Sequence, residues 1–254
     1  MINVNTYLLW LIAGTFGSLA VGTGVRLIAL RNSTREIVKK RIGSLKVWWM
    51  LALLWSIAAI FGQIGAAVLL AVASWLAMRE YLRFIAVKTH VGTGVYVCLF
   101  FSGAAHYLMI VTGRLDVAKW FLPVVGIVLL GAIRTTTCTT RDYIRTTAGI
   151  YWGAMLLIYA LSYALYLFDI DSAVEPVSGS AGPFLFLILL TEMNDIMQAI
   201  VGRKFGKTKI TPEVSPNKSL EGLAGGLLTT VTLSIVLAPF MTTLTTGHGR
   251  CENN

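Results

Sequence analysis

Long, unbroken apolar runs limit what this chain can fold into more than any other feature of its sequence. A membrane-spanning helix needs about 20 mainly apolar residues, whereas a membrane β-barrel shows alternating polarity in segments of about 10 residues. The runs here are long and do not alternate, and only 13% of the residues are charged, against about a quarter in soluble domains. The sequence therefore predicts an all-α, polytopic integral membrane helix bundle with eight spans, forming a single domain over residues 1–254.

The second and third spans are the hardest to separate. The predicted spans are Tyr7–Leu30, Val47–Gly62, Ala66–Ile85, Val95–Thr112, Val117–Ile133, Thr147–Phe168, Pro183–Val201 and Glu221–Leu244. The stretch Val47–Ile85 is too long for one span, and Gln63-Ile64-Gly65 is the only plausible turn inside it. We therefore place the boundary between these two spans at that triplet.

Lysine and arginine residues are concentrated in alternate connections between the predicted spans. The basic connections cover residues 31–46, 79–92, 134–146 and 202–220. The other side holds only Arg114, Lys119 and Arg250, and its longest loop, DIDSAVEPVSGSAG, has no basic residue. Because basic residues collect on the cytoplasmic side, we expect the basic connections in the cytoplasm, both termini outside it, and the protein in the inner (cytoplasmic) membrane. The net charge of +9 then reflects topology, and we expect no nucleic-acid partner.

The cysteine and histidine residues form no recognisable disulfide or metal pattern. Cys98, Cys138 and Cys251 lie far apart and contain no CxxC pair. His90 and His106 have no ligand-like neighbours, so we interpret both as structural residues.

Two carboxylates in the seventh predicted span indicate a functional site. Glu192 and Asp195 are three positions apart and therefore share one helix face, and Asn194 and Gln198 add amide groups close by. Acidic residues inside a membrane are costly and usually face a polar cavity. The reversal of the chain after this span brings the carboxylates and the following basic loop to one cytoplasmic mouth.

The following segment, GRKFGKTKITPEVSPNKSLEGLAGG, runs from Gly202 to Gly226. Its glycines let the backbone approach a ligand closely, and Pro212 and Pro216 stiffen it. Lys218 lies just before Ser219, and if the last span starts near Ser219, its helix N-terminus presents free N–H groups there. A lysine in that place suits a phosphate, and nearby carboxylates suit a magnesium ion that carries phosphates. The residues alone leave two interpretations open: a phosphate or nucleotide site, or a basic loop that contacts anionic lipid.

The order of residues in this segment is more specific than its composition. Beginning with Asp195 in the seventh predicted span, the order is Asp195, Gly202, Phe205-Gly206-Lys207, Lys209, Pro212, Ser215-Pro216-Asn217-Lys218-Ser219, Glu221-Gly222 and Gly225-Gly226. This series, with its spacing, resembles the signature of the phosphatidate cytidylyltransferase (CDP-diacylglycerol synthase) family. The stretch WLAMREYLRF, Trp75–Phe84, also looks like that family's Glu-aromatic segment.

Three departures from the family pattern refine the resemblance. Gln198-Ala199 stands where the family usually has Ala-Tyr, and Ser219 replaces a threonine, which is similar to a divergent bacterial-type branch. The family's second, C-terminal signature is absent, and we treat Gly247-His248-Gly249 as a coincidental echo of it. The resemblance implies a chain that is C-terminally truncated relative to the family. We expect it to be nearly inactive alone, and either to have low stability or to depend on a second copy, as in a homodimer.

The resemblance implies that CTP and phosphatidate react to give CDP-diacylglycerol and pyrophosphate, with Mg²⁺ as cofactor, in phospholipid biosynthesis. It assigns catalytic roles to Lys218 and Asp195, with Asp195 also the candidate metal ligand. The implied substrate-binding residues are Gly206, Lys207, Lys209, Ser215, Pro216, Ser219 and Glu221. Two alternatives stay open: a CTP-dependent polyprenol or lipid kinase, and a non-catalytic membrane protein that binds lipid or nucleotide.

Overall fold

The computed structural model describes residues 6–29, 31, 35–86, 91–137, 140–169 and 178–242. Several residues named above lie outside this part of the chain, namely His90, Cys138, Cys251, Gly247–Gly249 and most of the acidic loop. The chain forms two compact units. The first unit comprises Met1–Val38 and Leu167–Asn254, and the second comprises Lys39–Tyr166. The single membrane domain expected from the sequence stays a prediction.

Helices make up nearly all of the described structure. The elements are α1 (Thr6–Ala29), α2 (Arg35–Ile60), α3 (Gly62–Ala86), α4 (Thr93–Val111), α5 (Leu115–Trp120), a π-helical turn (Phe121–Gly126), α6 (Ile127–Thr137), α7 (Thr140–Ala154), a second π-helical turn (Met155–Ala160), a 3₁₀ turn (Tyr163–Phe168), α8 (Gly182–Phe205), β1 (Lys209–Thr211), β2 (Ser215–Ser219) and α9 (Leu220–Met241). The two strands form a small antiparallel hairpin between α8 and α9.

The predicted membrane helix bundle is confirmed. Among the described residues, seven helices are long and apolar enough to cross a membrane, and Leu45–Ile60 adds a shorter apolar helix. That shorter segment is part of α2 and corresponds to the second predicted span. At 1.5 Å per residue it extends over roughly 24 Å, somewhat less than the roughly 30 Å hydrocarbon core of a bilayer.

The boundary between α2 and α3 differs from the one predicted. The helices meet at Phe61 and Gly62, whereas the triplet Gln63-Ile64-Gly65 is helical. Gly62 has a φ of 63°, a conformation that costs glycine little because it has no Cβ. A Cβ on Gly65 would lie 2.7 Å from the Ala58 carbonyl oxygen, so this glycine permits the close approach of the two helix ends without itself forming the turn.

The second unit has a core of large apolar side chains from several helices. Met78 and Leu82 of α3, Val95 and Ile110 of α4, and Ile150 of α7 are fully buried. Each buried side chain of this size contributes about 1.5–3 kcal/mol when it leaves water, although in a membrane the gain comes from packing rather than from dehydration. The core of this unit is therefore built from interlocking side chains.

Two pairs of polar side chains lie inside the second unit. Ser74 Oγ and Tyr107 Oη lie 2.7 Å apart, and His106 Nε2 lies 2.8 Å from Ser162 Oγ. Ser162 in turn donates to the Tyr159 carbonyl at 2.7 Å. A buried polar group is tolerated when a partner satisfies it. The contact supports the interpretation of His106 as a structural residue.

The first π-helical turn has a local cause in the sequence. Pro123 lies inside it, and a proline lacks the N–H of a regular helical hydrogen bond. A wider turn accommodates that defect. The Tyr151 hydroxyl donates to the Pro123 carbonyl at 3.0 Å and fixes the turn against α7.

Candidate nucleotide site at the base of the hairpin

Helices α8 and α9 of the first unit pack with their backbones close together, and glycines make this possible. A Cβ on Gly226 would lie 2.5 Å from Asn194 Oδ1 and 3.0 Å from the Asn194 carbonyl oxygen. A Cβ on Gly225 would lie 2.6 Å from Val201 Cγ2. Small residues at helix interfaces in membranes permit this kind of close approach. The two adjacent glycines therefore serve packing, and they bring the carboxylate-bearing helix directly against α9.

The hairpin between these helices is irregular at the position that carries Lys218. Its strands pair Lys209 with Ser219 and Thr211 with Ser215, with a shift in register between the two pairs. Ile210 of β1 therefore faces the longer run 216–218 of β2. Bulges of this kind bend a strand and redirect a side chain, and Pro216 suits such a place because it has no N–H to donate to the ladder.

Lys218 extends from this bulge back to α8. Its Nζ donates to Gln198 Oε1 at 3.1 Å and lies 3.5 Å from Asp195 Oδ1. The Lys218 and Asp195 side chains are 51% and 70% exposed, so the pair remains open to a ligand. The structure thus brings together the two residues to which the resemblance assigns catalytic roles.

Gly202, Gly206 and Ser219 pack tightly where the hairpin joins the helices. A Cβ on Gly206 would overlap the Gly202 carbonyl oxygen and lie 2.5 Å from Ser219 Oγ. Ser219 is buried and accepts a hydrogen bond from Gly222 N at 3.2 Å, which makes it the N-cap of α9. Ser219 and Gly206 were both predicted as substrate contacts. In the structure they fix the backbone where the hairpin joins the two helices.

The carboxylate of Glu221 lies at the same junction. Its oxygens accept hydrogen bonds from Lys207 N at 3.0 Å and from Thr208 N at 3.1 and 3.2 Å. Leu220 N donates to the Thr208 carbonyl at 2.9 Å and closes the base of the hairpin. Glu221 is thus in contact with the backbone of the segment that follows α8.

The other predicted contacts lie on the surface of the hairpin. The side chains of Lys207, Lys209 and Pro216 are exposed, and Ser215 is half-buried. Within the described part of the chain, no side-chain hydrogen bond or ion pair is found for either lysine. They add positive charge around the pair formed by Lys218 and Asp195.

Gln198 is a site residue to which the family resemblance assigned no role. Its position three residues after Asp195 placed it on the correct helix face, but only the fold shows that it holds Lys218. Glu192, one turn before Asp195, is half-buried. Across the described residues there is no group of three or more His, Cys, Asp or Glu side chains that could hold a metal ion.

The Glu-aromatic stretch of α3 belongs to the second unit. Glu80 there pairs with Arg83 at 3.1 Å, and both side chains are largely exposed. Tyr81 donates to the Gly149 carbonyl at 2.9 Å. Glu80 and Tyr81 therefore both have partners within the second unit.

Comparison with known proteins decides the family. Residues 39–249 match the sequence model of the cytidylyltransferase family. The chain belongs to the cytidylyltransferase family. The resemblance seen in the order of residues is thereby confirmed.

Individual relatives match shorter parts of the chain. An Escherichia coli (strain K12) protein named "Uncharacterized protein YnbB" is 30% identical over 202 residues, which cover 80% of this chain and 65% of YnbB. The phosphatidate cytidylyltransferase of Mycobacterium leprae is 32% identical over 101 residues, or 39% of this chain and 30% of that enzyme. That of Haemophilus influenzae is 41% identical over 56 residues, or 22% of this chain and 19% of the enzyme. The matched region therefore spans less than two thirds of these relatives. No solved structure matches the chain.

Proposed function

We propose that this protein transfers CMP from CTP to phosphatidate, giving CDP-diacylglycerol and pyrophosphate, at the base of the hairpin. The observation that carries the proposal is the placement of Lys218, with Nζ 3.1 Å from Gln198 Oε1 and 3.5 Å from Asp195 Oδ1. Membership of the cytidylyltransferase family and the named activity of the Mycobacterium leprae relative support it.

The reaction exchanges one phosphorus–oxygen bond for another. A phosphate oxygen of phosphatidate attacks the α-phosphorus of CTP, and the bond from that phosphorus to the oxygen bridging the β-phosphate breaks. Pyrophosphate leaves with the bonding electrons. Positioning and neutralisation of charge do most of the work in such transfers. Lys218 supplies a positive charge that is already oriented before the ligand arrives, which is the arrangement that stabilises a charged transition state best.

Asp195 and Gln198 act on Lys218 rather than on the reacting atoms. The carboxylate lies 3.5 Å from the ammonium group, and the amide oxygen accepts a hydrogen bond from it and directs it along α8. Both partners are single contacts at an open surface, so phosphate oxygens can approach the remaining N–H donors of the ammonium group. Lys207 and Lys209 attract the triphosphate to the same place.

The residues on α8 fit a magnesium ion that arrives with the nucleotide. Mg²⁺ is commonly held by one or two carboxylates together with substrate phosphates, and Asp195 and Glu192 lie one helical turn apart. When bound, the ion would neutralise part of the charge on the triphosphate. Glu221 is a poor candidate ligand because its carboxylate already accepts backbone hydrogen bonds.

We propose that the hairpin faces the cytoplasm in the inner membrane, since the basic connections lie there under the positive-inside rule. The proposal requires the short apolar part of α2 to cross the membrane. In a cysteine-free background, Val214→Cys at the hairpin tip should react with a membrane-impermeant thiol reagent only after the membrane is opened. Arg114→Cys should react from outside in intact spheroplasts. The reverse pattern would contradict the orientation.

The activity is tested with CTP that carries ³²P at a chosen position. The 254-residue chain, and beside it complete YnbB, are incubated in detergent with phosphatidate and Mg²⁺, and lipids are separated by thin-layer chromatography. Label from the α-phosphate should enter the lipid. Label from the γ-phosphate in the lipid would instead indicate a kinase and overturn the proposal.

The role of Lys218 is tested by comparison with a lysine of the first basic connection. Lys218→Ala should lower CMP transfer by about a hundredfold or more, the usual effect of removing one donor to a developing charge. Lys46→Ala should leave it within about twofold, since an exposed charge away from a site attracts lipid only in a general way. Equal losses in both variants would show that lipid attraction had been mistaken for a site. Protection of Lys218 by CTP against an amine reagent is measured as well, because it reports nucleotide binding independently of turnover.

A further inference from the structure

Glu221 lies where a substrate-binding residue is expected, yet its carboxylate points to the backbone. Both of its oxygens accept hydrogen bonds from the N–H groups of Lys207 and Thr208, at 3.0 to 3.2 Å. Such bonds to a charged acceptor are stronger than bonds between neutral groups. Both oxygens of Glu221 therefore have a backbone partner before any ligand arrives.

The direction of the backbone after Ser219 explains why a side chain, and not a strand carbonyl, accepts hydrogen bonds from Lys207 and Thr208. The pairing of Lys209 with Ser219 continues through the hydrogen bond from Leu220 N to the Thr208 carbonyl. Beyond Leu220 the backbone turns into α9, so no further strand carbonyl faces the preceding N–H groups. The Glu221 carboxylate takes that place. A negative charge in the first turn of a helix is also favoured by the helix dipole.

The hairpin has few other ties to the helices on which it stands. Its tip is exposed, with Val214 88% exposed, and its strands have no buried apolar face. Among the described residues, its attachments are the hydrogen bonds of Leu220 and Glu221, the contact of Gly206 with Ser219, and the contacts of Lys218 with Gln198 and Asp195. The position of Lys207 and of the bulge that carries Lys218 thus depends on a small number of contacts.

We propose that Glu221 is a positioning residue, a clamp that fixes the base of the hairpin so that Lys207 and Lys218 face the phosphates of the nucleotide. The assignment of a nucleotide rests on the proposed function, whereas the clamp itself is a property of the free protein. In this role Glu221 binds neither metal nor substrate. Its contribution is to hold the backbone between Gly206 and Thr208 against the start of α9.

The clamp is tested by amide hydrogen exchange at Lys207 and Thr208 in the complete chain without ligand. Glu221→Ala should speed exchange at both amides by about tenfold, the size expected for loss of a hydrogen bond to a charged acceptor. Glu221→Gln keeps one carbonyl oxygen and should restore most of the protection. Glu213→Ala, at the exposed turn of the same hairpin, should leave exchange unchanged.

The effect on the nucleotide is measured separately. In Glu221→Ala the CTP concentration that half-protects Lys218 from an amine reagent should rise by about tenfold, because the lysines are no longer held together. Where CMP transfer is measurable, KM for CTP should rise more than kcat falls. The Mg²⁺ concentration for half-maximal activity should stay the same in Glu221→Gln.

The outcomes separate this inference from the proposed function. Unchanged amide exchange in Glu221→Ala would overturn the clamp, whatever the activity. A higher Mg²⁺ requirement in Glu221→Gln, with exchange still slow, would make Glu221 a metal ligand and overturn it as well. Faster exchange in Glu221→Ala, with no protection of Lys218 by CTP in the unaltered chain, would support the clamp and contradict the nucleotide site.

Discussion

The two units use polar residues in opposite ways. In the second unit Ser74, Tyr107, His106 and Ser162 are buried, and they pair at 2.7 and 2.8 Å. In the first unit Lys218 and Asp195 form a pair in which both side chains are at least half exposed. A buried pair whose hydrogen bonds are already made supports the fold, whereas an exposed pair at 3.5 Å can exchange one partner for a ligand.

The helices of the two units are also joined differently. α3 and α4 meet through full-sized side chains such as Trp75 and Phe100, whose ring centroids lie 5.0 Å apart, while α8 and α9 meet through Gly225 and Gly226. Gly225 and Gly226 leave no free space between α8 and α9. The positions of the side chains along α8 are therefore fixed by close backbone contact rather than by side-chain packing. This rigidity is useful where a lysine and a carboxylate must be held in one place.

The largest loss of stability is expected from Gly226→Ala. The added Cβ would lie 3.0 Å from the Asn194 carbonyl oxygen, and backbone cannot move aside as a side chain can. We expect the free energy of unfolding in detergent to fall by about 3 kcal/mol, the upper range for overpacking. Gly14→Ala in α1 is the matched control, because no atom lies within 4 Å of its Cβ, and its effect should be neutral or slightly stabilising. Equal effects would mean that the glycine contact is not special.

A smaller loss is expected from Ser74→Ala in the second unit. It leaves the Tyr107 hydroxyl without its partner, at a cost of about 2 kcal/mol. Adding Tyr107→Phe should recover most of that loss, since both polar groups are then gone, and unfolding of the four proteins of this double-mutant cycle measures the recovery. Nucleotide protection of Lys218 should be the same in all four. A change in that protection would show that the buried pair does more than support the fold.

The smallest effect is expected from Ser219→Ala. It removes the N-cap of α9 and should lower the free energy of unfolding by about 1 kcal/mol. Ser234→Ala, in the same helix, is the control, because its exposed hydroxyl bonds only the Val231 carbonyl of its own helix. A thermal unfolding series that includes both variants checks the difference. A loss above about 3 kcal/mol would assign Ser219 a larger role at the junction than that of a cap.

Much of this protein could be predicted from local properties of the sequence. Whether a segment such as Pro183–Val201 crosses a membrane depends on the summed transfer free energy of consecutive residues, which needs no knowledge of the fold. The order of residues from Asp195 to Gly226 was sufficient for the family. The helical spacing of Glu192 and Asp195 likewise follows from a regular period.

The hairpin and the turn before α3 were not predicted. In both places the local sequence is compatible with more than one backbone conformation or turn position. Thr211-Pro212-Glu213 contains a turn signal, but a strand of three residues such as β1 has too few side chains to show alternation. The triplet 63–65 and the pair 61–62 each contain a glycine. In the structure Gly62, and not Gly65, adopts the positive φ.

The tertiary structure decided what each residue of the site does. By sequence Glu221 and Asp195 are two acidic residues near a basic loop. In the fold Asp195 meets Lys218, and Glu221 meets the backbone of Lys207 and Thr208. The sequence by itself determined that the chain is a membrane protein of this family, because apolar length and motif order are properties of neighbouring residues. Only the fold decided which carboxylate meets a lysine and which meets the backbone, because contacts such as that between Lys218 and Gln198, 20 positions apart, exist only once α8, the hairpin and α9 have packed.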